Sequence, residues 1–289
     1  MTKKIFSIAL CALLGLACVS LAACGGGNGG TAATTTAAGT TAGNTTAAET
    51  QTVPMEGKKL TVGFDAGFPP MGFTDDKNKD KYIGFDLDLA KAVADYLKAE
   101  LVLKPIDWKA KDTELEAGNI DCIWNGFTKN EDRLDKYAWT DAYMLNEQVV
   151  VVMKDSGYEK FDDLAGKKAG LQETSTAEAA LDKAAELKAS LADVVKSDDN
   201  TICLTNLESG VVDAVVMDSV VANYMIAKSG KDYKVIGSPL SPEEYAVGFA
   251  LTNAELRNTV EAAMKALVAD GTFKDISVQW FGKDVIVLK

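Results

Sequence analysis

The sequence predicts an α/β fold built from two open sheets, and three observations carry the prediction. From residue 60 onward, short apolar strands alternate with helical periodicity, the rhythm of an open α/β sheet. A second series of the same kind and similar size begins at Gln148. The polar residues Asp65, Asn125-Gly126, Thr174-Ser175-Thr176 and Asp218 all follow predicted strands, at the edge where open α/β sheets bind ligands.

The first 23 residues read as a secretory signal. Lys3 and Lys4 form a basic start and residues 5–19 an apolar stretch too short to span a membrane. Leu21-Ala22-Ala23-Cys24 resembles the bacterial lipobox, so cleavage before Cys24 and lipid attachment to its thiol are expected; a plain secretory signal is the alternative. Residues 24–57 hold the expected lipidated Cys and a Gly/Thr/Ala tract. That tract lacks the large apolar residues needed to offset chain entropy, so it is expected to be a disordered tether. As a flexible coil of roughly thirty residues it would separate its ends by on the order of 30 Å.

Leu60-Thr61-Val62-Gly63-Phe64 is the first strand and ends on Asp65. Phe68-Pro69-Pro70 then makes a rigid turn, since both prolines fix φ, and residues 75–80 read as a charged loop tip. Over residues 86–98, Leu87, Ala90, Val93, Ala94 and Leu97 share one helical face, with Asp86 and Asp88 at the favourable N-terminal end. Leu101-Val102-Leu103 is the next strand and leads to Asp107-Trp108, with a short helix ending near Gly118.

Residues 121–133 begin as an apolar strand, break at Asn125-Gly126, offer a hydroxyl at Thr128 and close on Arg133. Val149 to Val152 form a continuous β-branched run. Another strand is expected at 167–171, and Ser175 with Glu178 then opens a helix through Leu181, Ala185 and Leu187 by a capping box. Thr205 with Glu208 repeats that signature. Asp213 to Met217 read as a buried strand ending on Asp218, with a helix over 219–228. Residues 246–251 are expected to be a strand, 255–269 a helix stopped by Gly271, and 273–280 the last helix. Cys122 and Cys203, both in apolar strand-like contexts, are expected to be buried free thiols.

Composition excludes several chemistries. The chain contains no His, so a Ser-His-Asp triad, a Cys-His dyad and a His-ligated zinc site are impossible. Its formal net charge of −12 argues against binding a phosphate backbone, and so against nucleic acid. Of its 30 basic residues only Arg133 and Arg257 are Arg. A planar fork at Arg133 suits a carboxylate held by two parallel hydrogen bonds; pairing with Glu131, Asp132 or Asp135 is the plain alternative. Asp65 and Asp218 also fit as caps or loop acids, Phe68 and Trp108 as core aromatics, Ser175 and Thr176 as caps, and Asn125 as a turn residue.

The residues resemble the polar amino-acid-binding proteins of bacterial ABC importers, the family-three extracellular solute-binding proteins. The resemblance runs over about 58–282. Its landmarks are the first strand with Phe68-Pro69-Pro70, Ile83-Gly84-Phe85-Asp86-Leu87-Asp88, Gly118-Asn119-Ile120-Asp121 through Thr128 with Arg133, Asp162-Asp163-Leu164-Ala165-Gly166, Val212-Asp213-Ala214-Val215-Val216 and Ala269-Asp270-Gly271-Thr272-Phe273.

The family implies a two-lobed, periplasmic-binding-protein-like (type II) fold joined by a two-strand hinge. Lobe one would be 58–147 plus 247–289, and lobe two 148–246. It implies a monomeric, non-enzymatic receptor with no cofactor or metal, held on the outside of a bacterial membrane by the lipid on Cys24. Such a receptor passes a free amino acid to ABC permease subunits; a dehydratase-type enzyme or a ligand sensor on the same scaffold is the alternative. Carried over by position, Arg133 would hold the ligand's α-carboxylate, assisted by Thr128 and the Gly126 backbone, with Asn125 beside them. Asp218 would take the α-ammonium, Ser175 and Thr176 would add polar contacts, Phe68 and Trp108 would sandwich the side chain, and Asp65 would face its polar end. Two positions depart from the family pattern. Thr174 stands where Gly is usual, and Met71 where an aromatic is common, which would widen the pocket.

Overall fold

A computed structural model describes residues 55–228 and 230–289. The expected signal, Cys24 and the tether up to residue 54 lie outside the described residues. Packing already begins at Met55, three residues before the expected boundary. Its side chain is buried and its N–H donates to Leu97 O at 2.7 Å.

The chain begins with β1 (Lys59–Phe64), then a small antiparallel sheet of β2 (Gly67–Phe68), β3 (Gly72–Asp75) and β4 (Asn78–Ile83). Next come α1 (Phe85–Leu97), β5 (Glu100–Pro105), a 3-10 turn at Trp108–Ala110, α2 (Lys111–Glu116), β6 (Cys122–Ile123), β7 (Ala138–Trp139) and β8 (Met144–Met153). The second series comprises β9 (Lys168–Gln172), α3 (Thr176–Lys183), α4 (Ala185–Ser190), β10 (Asp193–Ser197), α5 (Asn200–Glu208), β11 (Ala214–Asp218), α6 (Ser219–Lys228) and β12 (Tyr233–Tyr245). The chain ends with β13 (Gly248–Phe249), α7 (Ala254–Ala269) and α8 (Thr272–Phe281).

Two five-stranded sheets result, ordered β5-β1-β6-β13-β7 and β10-β9-β11-β8-β12. In the first, β1 runs parallel to β5 and β6, while β13 is antiparallel to β6 and β7. Helix α1 buries Leu87, Ala90, Val93, Ala94 and Leu97, as its periodicity predicts, and packs on α7 and α8. In the second, β9 is parallel to β10 and β11, and β8 lies between β11 and β12, antiparallel to both. That central position explains the unbroken Val149 to Val152 run: with neighbours on both edges and cover on both faces, every position is buried.

Two segments connect the sheets. One passes from β7 into β8, and the other returns from β12 into β13, with Glu243 opposite Asn146 and Tyr245 opposite Met144. This is the two-lobed, two-crossover architecture of the type II binding-protein fold.

Several local expectations differ. The 75–80 tip belongs to a hairpin, because β4 pairs with β3 despite its charge. Strand β10, with only two valines between polar residues, was not anticipated. Thr205 and Glu208 do not start a helix; both lie inside α5, which begins at Asn200 with the Asp199 carboxylate accepting from Ile202 N. Cys203 is therefore helical, though buried and unbridged like Cys122. The helix beginning after Ser175 breaks at Ala184, where ψ is 58°. The strand expected over 246–251 shortens to β13, and Leu251 enters a 3-10 turn.

Candidate functional site

Four strands of the two sheets deliver their carboxyl ends to one place. β1 ends at Asp65, β6 at Trp124-Asn125-Gly126, β9 at Gln172 and β11 at Asp218. All ten residues singled out as ligand contacts (Asp65, Phe68, Trp108, Asn125, Gly126, Thr128, Arg133, Ser175, Thr176, Asp218) line a single cavity, together with Gln172. Its volume is about 20 Å³, room for roughly one water and far less than any amino acid. Hydrogen bonds across the cleft hold it shut. Gln172 Nε2 donates to Asp65 Oδ2 at 2.7 Å, Arg133 Nη2 to Thr174 O at 3.4 Å, Thr201 Oγ1 to Gly67 O at 3.2 Å, and Lys109 Nζ to Asp198 Oδ1 at 3.0 Å.

Arg133 is half-buried. Its Nη1 donates to Thr128 O at 3.2 Å and its Cζ lies 5.0 Å from the centre of the Phe127 ring. Among the described residues no carboxylate lies within ion-pair distance of it, so the alternative partners Glu131, Asp132 and Asp135 do not take it up. Burial lowers the guanidinium's pKa, opposed by the charges of Tyr137, Glu243, Asp112 and Asp218. Of its five donors, two meet backbone carbonyls, which leaves capacity for an anion.

Asp218, on the other sheet, is buried. Its Oδ1 accepts from Tyr245 OH at 2.6 Å and from Asn146 Nδ2 at 2.8 Å. Burial, and then the charge of Glu243, push its carboxyl up to about 8. Asp65 is also buried and is pushed up to about 6 by desolvation, against the lowering effect of Gly67 N–H and Gln172. Its own N–H donates to Asn125 Oδ1 at 3.1 Å, so Asn125 braces the Asp65 turn as well as bordering the cavity.

Gly126 has φ 54°, and a Cβ there would come within 2.7 Å of Phe68 Cε1. Glycine is therefore required both by conformation and by closeness. The same left-handed turn directs the Gly126 N–H to Asp86 Oδ2 at 2.6 Å. Gly126 itself still borders the cavity. Asp86 is wholly buried, also accepts from Tyr143 OH at 2.8 Å, and is pushed up to about 7 by desolvation.

Ser175 caps α3: its Oγ accepts from Ala177 N at 3.3 Å and donates to Gln172 O at 2.8 Å. The reciprocal bond of the expected capping box goes elsewhere, since Glu178 Oε1 accepts from Thr174 N. Thr174, in the usual place of Gly, adopts φ 58° and so keeps a left-handed turn with a β-branched side chain. Thr128 and Thr176 face each other at 3.5 Å between their hydroxyls. Trp108 meets Phe127 edge-on at 5.6 Å. Met71 is fully buried and does not border the cavity, so it does not widen it.

Sequence reasoning missed Gln172, Glu243 and the bracing acid Asp86. Glu243 is buried, and its Oε2 accepts from Asn146 Nδ2 (2.8 Å), Gln148 Nε2 (3.1 Å) and Thr128 Oγ1 (3.2 Å). It borders a second, open cavity of about 830 Å³ that shares Thr128 and Thr176 with the first. No local signal marks Glu243, because Ser241-Pro242-Glu243-Glu244 reads as solvated surface.

Residues 60–283 match the sequence profile of the bacterial extracellular solute-binding proteins, family 3. The chain is 29% identical over 228 residues to the L-cystine-binding protein TcyJ of Escherichia coli (strain K12), covering 78% of this chain and 84% of the relative. It is 30% identical over 238 residues to the L-arginine-binding protein of Pseudomonas aeruginosa, covering 79% and 90%. Among solved structures, an ABC uptake transporter substrate binding protein from Streptococcus pneumoniae with bound histidine superposes with a TM-score of 0.76 at 37% identity, covering 79% of this chain and 94% of that one. These are substrate-binding proteins of transporters, not enzymes. With the profile spanning most of its length, this chain belongs to the bacterial extracellular solute-binding proteins, family 3.

Proposed function

We propose that this protein is a lipid-anchored extracytoplasmic receptor that closes on a free L-amino acid and delivers it to the permease of an ABC importer. In this reading Arg133 takes the α-carboxylate and Asp218 the α-ammonium. Ser175 and Thr176 border the ligand backbone, while Phe68 and Trp108 flank its side chain. Asp65, with Gln172, meets the far end, which favours a side chain carrying hydrogen-bond donors. The lobes are 58–147 with 247–289, and 148–246.

The observation that carries the reading is the pairing of opposites. A guanidinium without a carboxylate partner in the described residues and a buried acid border one cavity from different sheets. Each lobe alone satisfies one end of a zwitterion, so the closed state is the tight one. A cavity of this size admits the ligand only when the cross-cleft bonds part, and the two crossover segments are the natural hinge.

A thermal-shift screen of the twenty amino acids and cystine tests this. A ligand at a hundredfold its dissociation constant should add about 2.7 kcal/mol of stability; no shift with any of them would remove the reading. For the anchor, Cys24→Ser should move the protein from the membrane fraction into the soluble one, and unchanged fractionation would remove the lipid attachment.

A further inference from the structure

Asp218 does not stand alone at its end of the cavity. Asn146 Nδ2 donates to Asp218 Oδ1 and to Glu243 Oε2, at 2.8 Å each. One amide nitrogen thus lies between the two carboxylates, close enough that the charge of Glu243 opposes ionisation of Asp218.

The groups facing this pair from each element are mostly neutral. β8 supplies Asn146 and Gln148, the segment after β6 supplies Thr128, and α6 supplies Ser219, which donates to Asn146 Oδ1 at 3.1 Å. β12 supplies Tyr245, whose phenol is itself held well above its usual pKa by burial and by Asp218 and Glu243. Among the cations, Arg133 reaches both acids with its field and pairs with neither, while Lys129 and Lys183 line the open cavity beside Glu243 without an ion pair to either acid among the described residues. Two buried carboxylates without a cation cannot both ionise cheaply. The raised value of Asp218, caused first by burial and next by Glu243, agrees with a retained proton.

We propose that Glu243 is a positioning acid for ammonium recognition: bridged to Asp218 through Asn146, its carboxylate helps keep a proton on Asp218 in the empty site, which a ligand's α-ammonium replaces and expels on binding. This rests on the amino-acid reading above. Asp218 borders the small cavity and Glu243 the open one of about 830 Å³, so the departing proton has a route to solvent that does not pass through the ligand. The proton goes to buffer, and the ammonium supplies the positive charge in its place. Affinity therefore falls as pH drops below the value of Asp218, by up to tenfold per unit.

The test is isothermal titration of the folded protein at pH 7 with L-arginine, L-glutamine and L-cystine, in phosphate and in Tris. The difference in buffer ionisation enthalpy counts protons. For those that bind, half to one proton should be released per ligand, and affinity should fall about tenfold between pH 7 and pH 6. Glu243→Gln keeps an acceptor for Asn146, Gln148 and Thr128, and should measurably reduce the release while flattening the pH profile. A buffer-independent enthalpy in the unaltered protein overturns the proposal and leaves the receptor reading standing. An unchanged proton count in folded Glu243→Gln overturns the role of Glu243. If none of the twenty amino acids or cystine binds, the receptor reading fails and this inference with it. Should Glu243→Gln not fold, the proton count and pH slope of the unaltered protein still decide.

Discussion

Arg133 sits where its cost and its use are both visible. The side chain is drawn over the Phe127 ring and tied to two backbone carbonyls, yet no carboxylate compensates its charge within the described residues. Lys has the charge but not the planar fork. Arg133→Lys should therefore weaken amino-acid binding at least tenfold while leaving the folding midpoint close to that of the parent, since no ion pair is broken. Titration calorimetry and urea denaturation check the two halves; retained affinity would take Arg133 out of the site. The positions of Asp65, Asn125, Thr128 and Asp218 were legible in sequence because each follows a recognisable strand. Gln172 was not, because it is the last residue of a strand whose apolar pattern hides it. Glu243 sits in Ser241-Pro242-Glu243-Glu244, a run that reads as solvated surface. Only the pairing of β12 with β8 buries it.

The turn between β9 and α3 shows how one element depends on a strained residue. Thr174 holds φ 58°, a region that costs an L-residue with a Cβ roughly 1–2 kcal/mol. Its carbonyl accepts from Arg133 and its N–H donates to Glu178, and these bonds hold the turn in place. Thr174→Gly should raise stability by up to about 1 kcal/mol in urea denaturation, the relief exceeding the extra entropy of glycine in the unfolded chain. A loss of stability would mean that the methyl and hydroxyl make contacts worth more than the strain. Elements with one clear period, such as α1, α7 and β8, could be read from sequence. β10 and β4 could not, because their residues gain strand character from a neighbour's edge rather than from their own pattern.

For the molecule as a whole, three buried acids set the pH response. Asp65, Asp86 and Asp218 are raised to about 6, 7 and 8 by desolvation, whereas an unfolded Asp titrates near 4. The native state therefore binds more protons than the unfolded chain between those values. Their contribution is full below pH 4 and is lost as pH rises through 6 to 8, on the order of 3–6 kcal/mol for each group. Without an added amino acid, stability should fall from pH 5 to pH 8, and Asp86→Asn should make that fall shallower. A flat profile in urea denaturation would contradict this origin. The two-sheet plan was legible from alternation alone, but the closure of the cleft was not. The Asp65–Gln172, Gly67–Thr201 and Lys109–Asp198 contacts join residues more than 80 positions apart, and no local pattern encodes them.

The most direct measurement is a crystal structure of the protein grown with the tightest amino acid from the thermal-shift screen. The account predicts its α-carboxylate hydrogen-bonded to the Arg133 guanidinium and its α-ammonium to Asp218, in one widened cavity between the sheets. An amino acid lodged instead in the open cavity beside Glu243, with Arg133 and Asp218 touching neither end of it, would contradict the account.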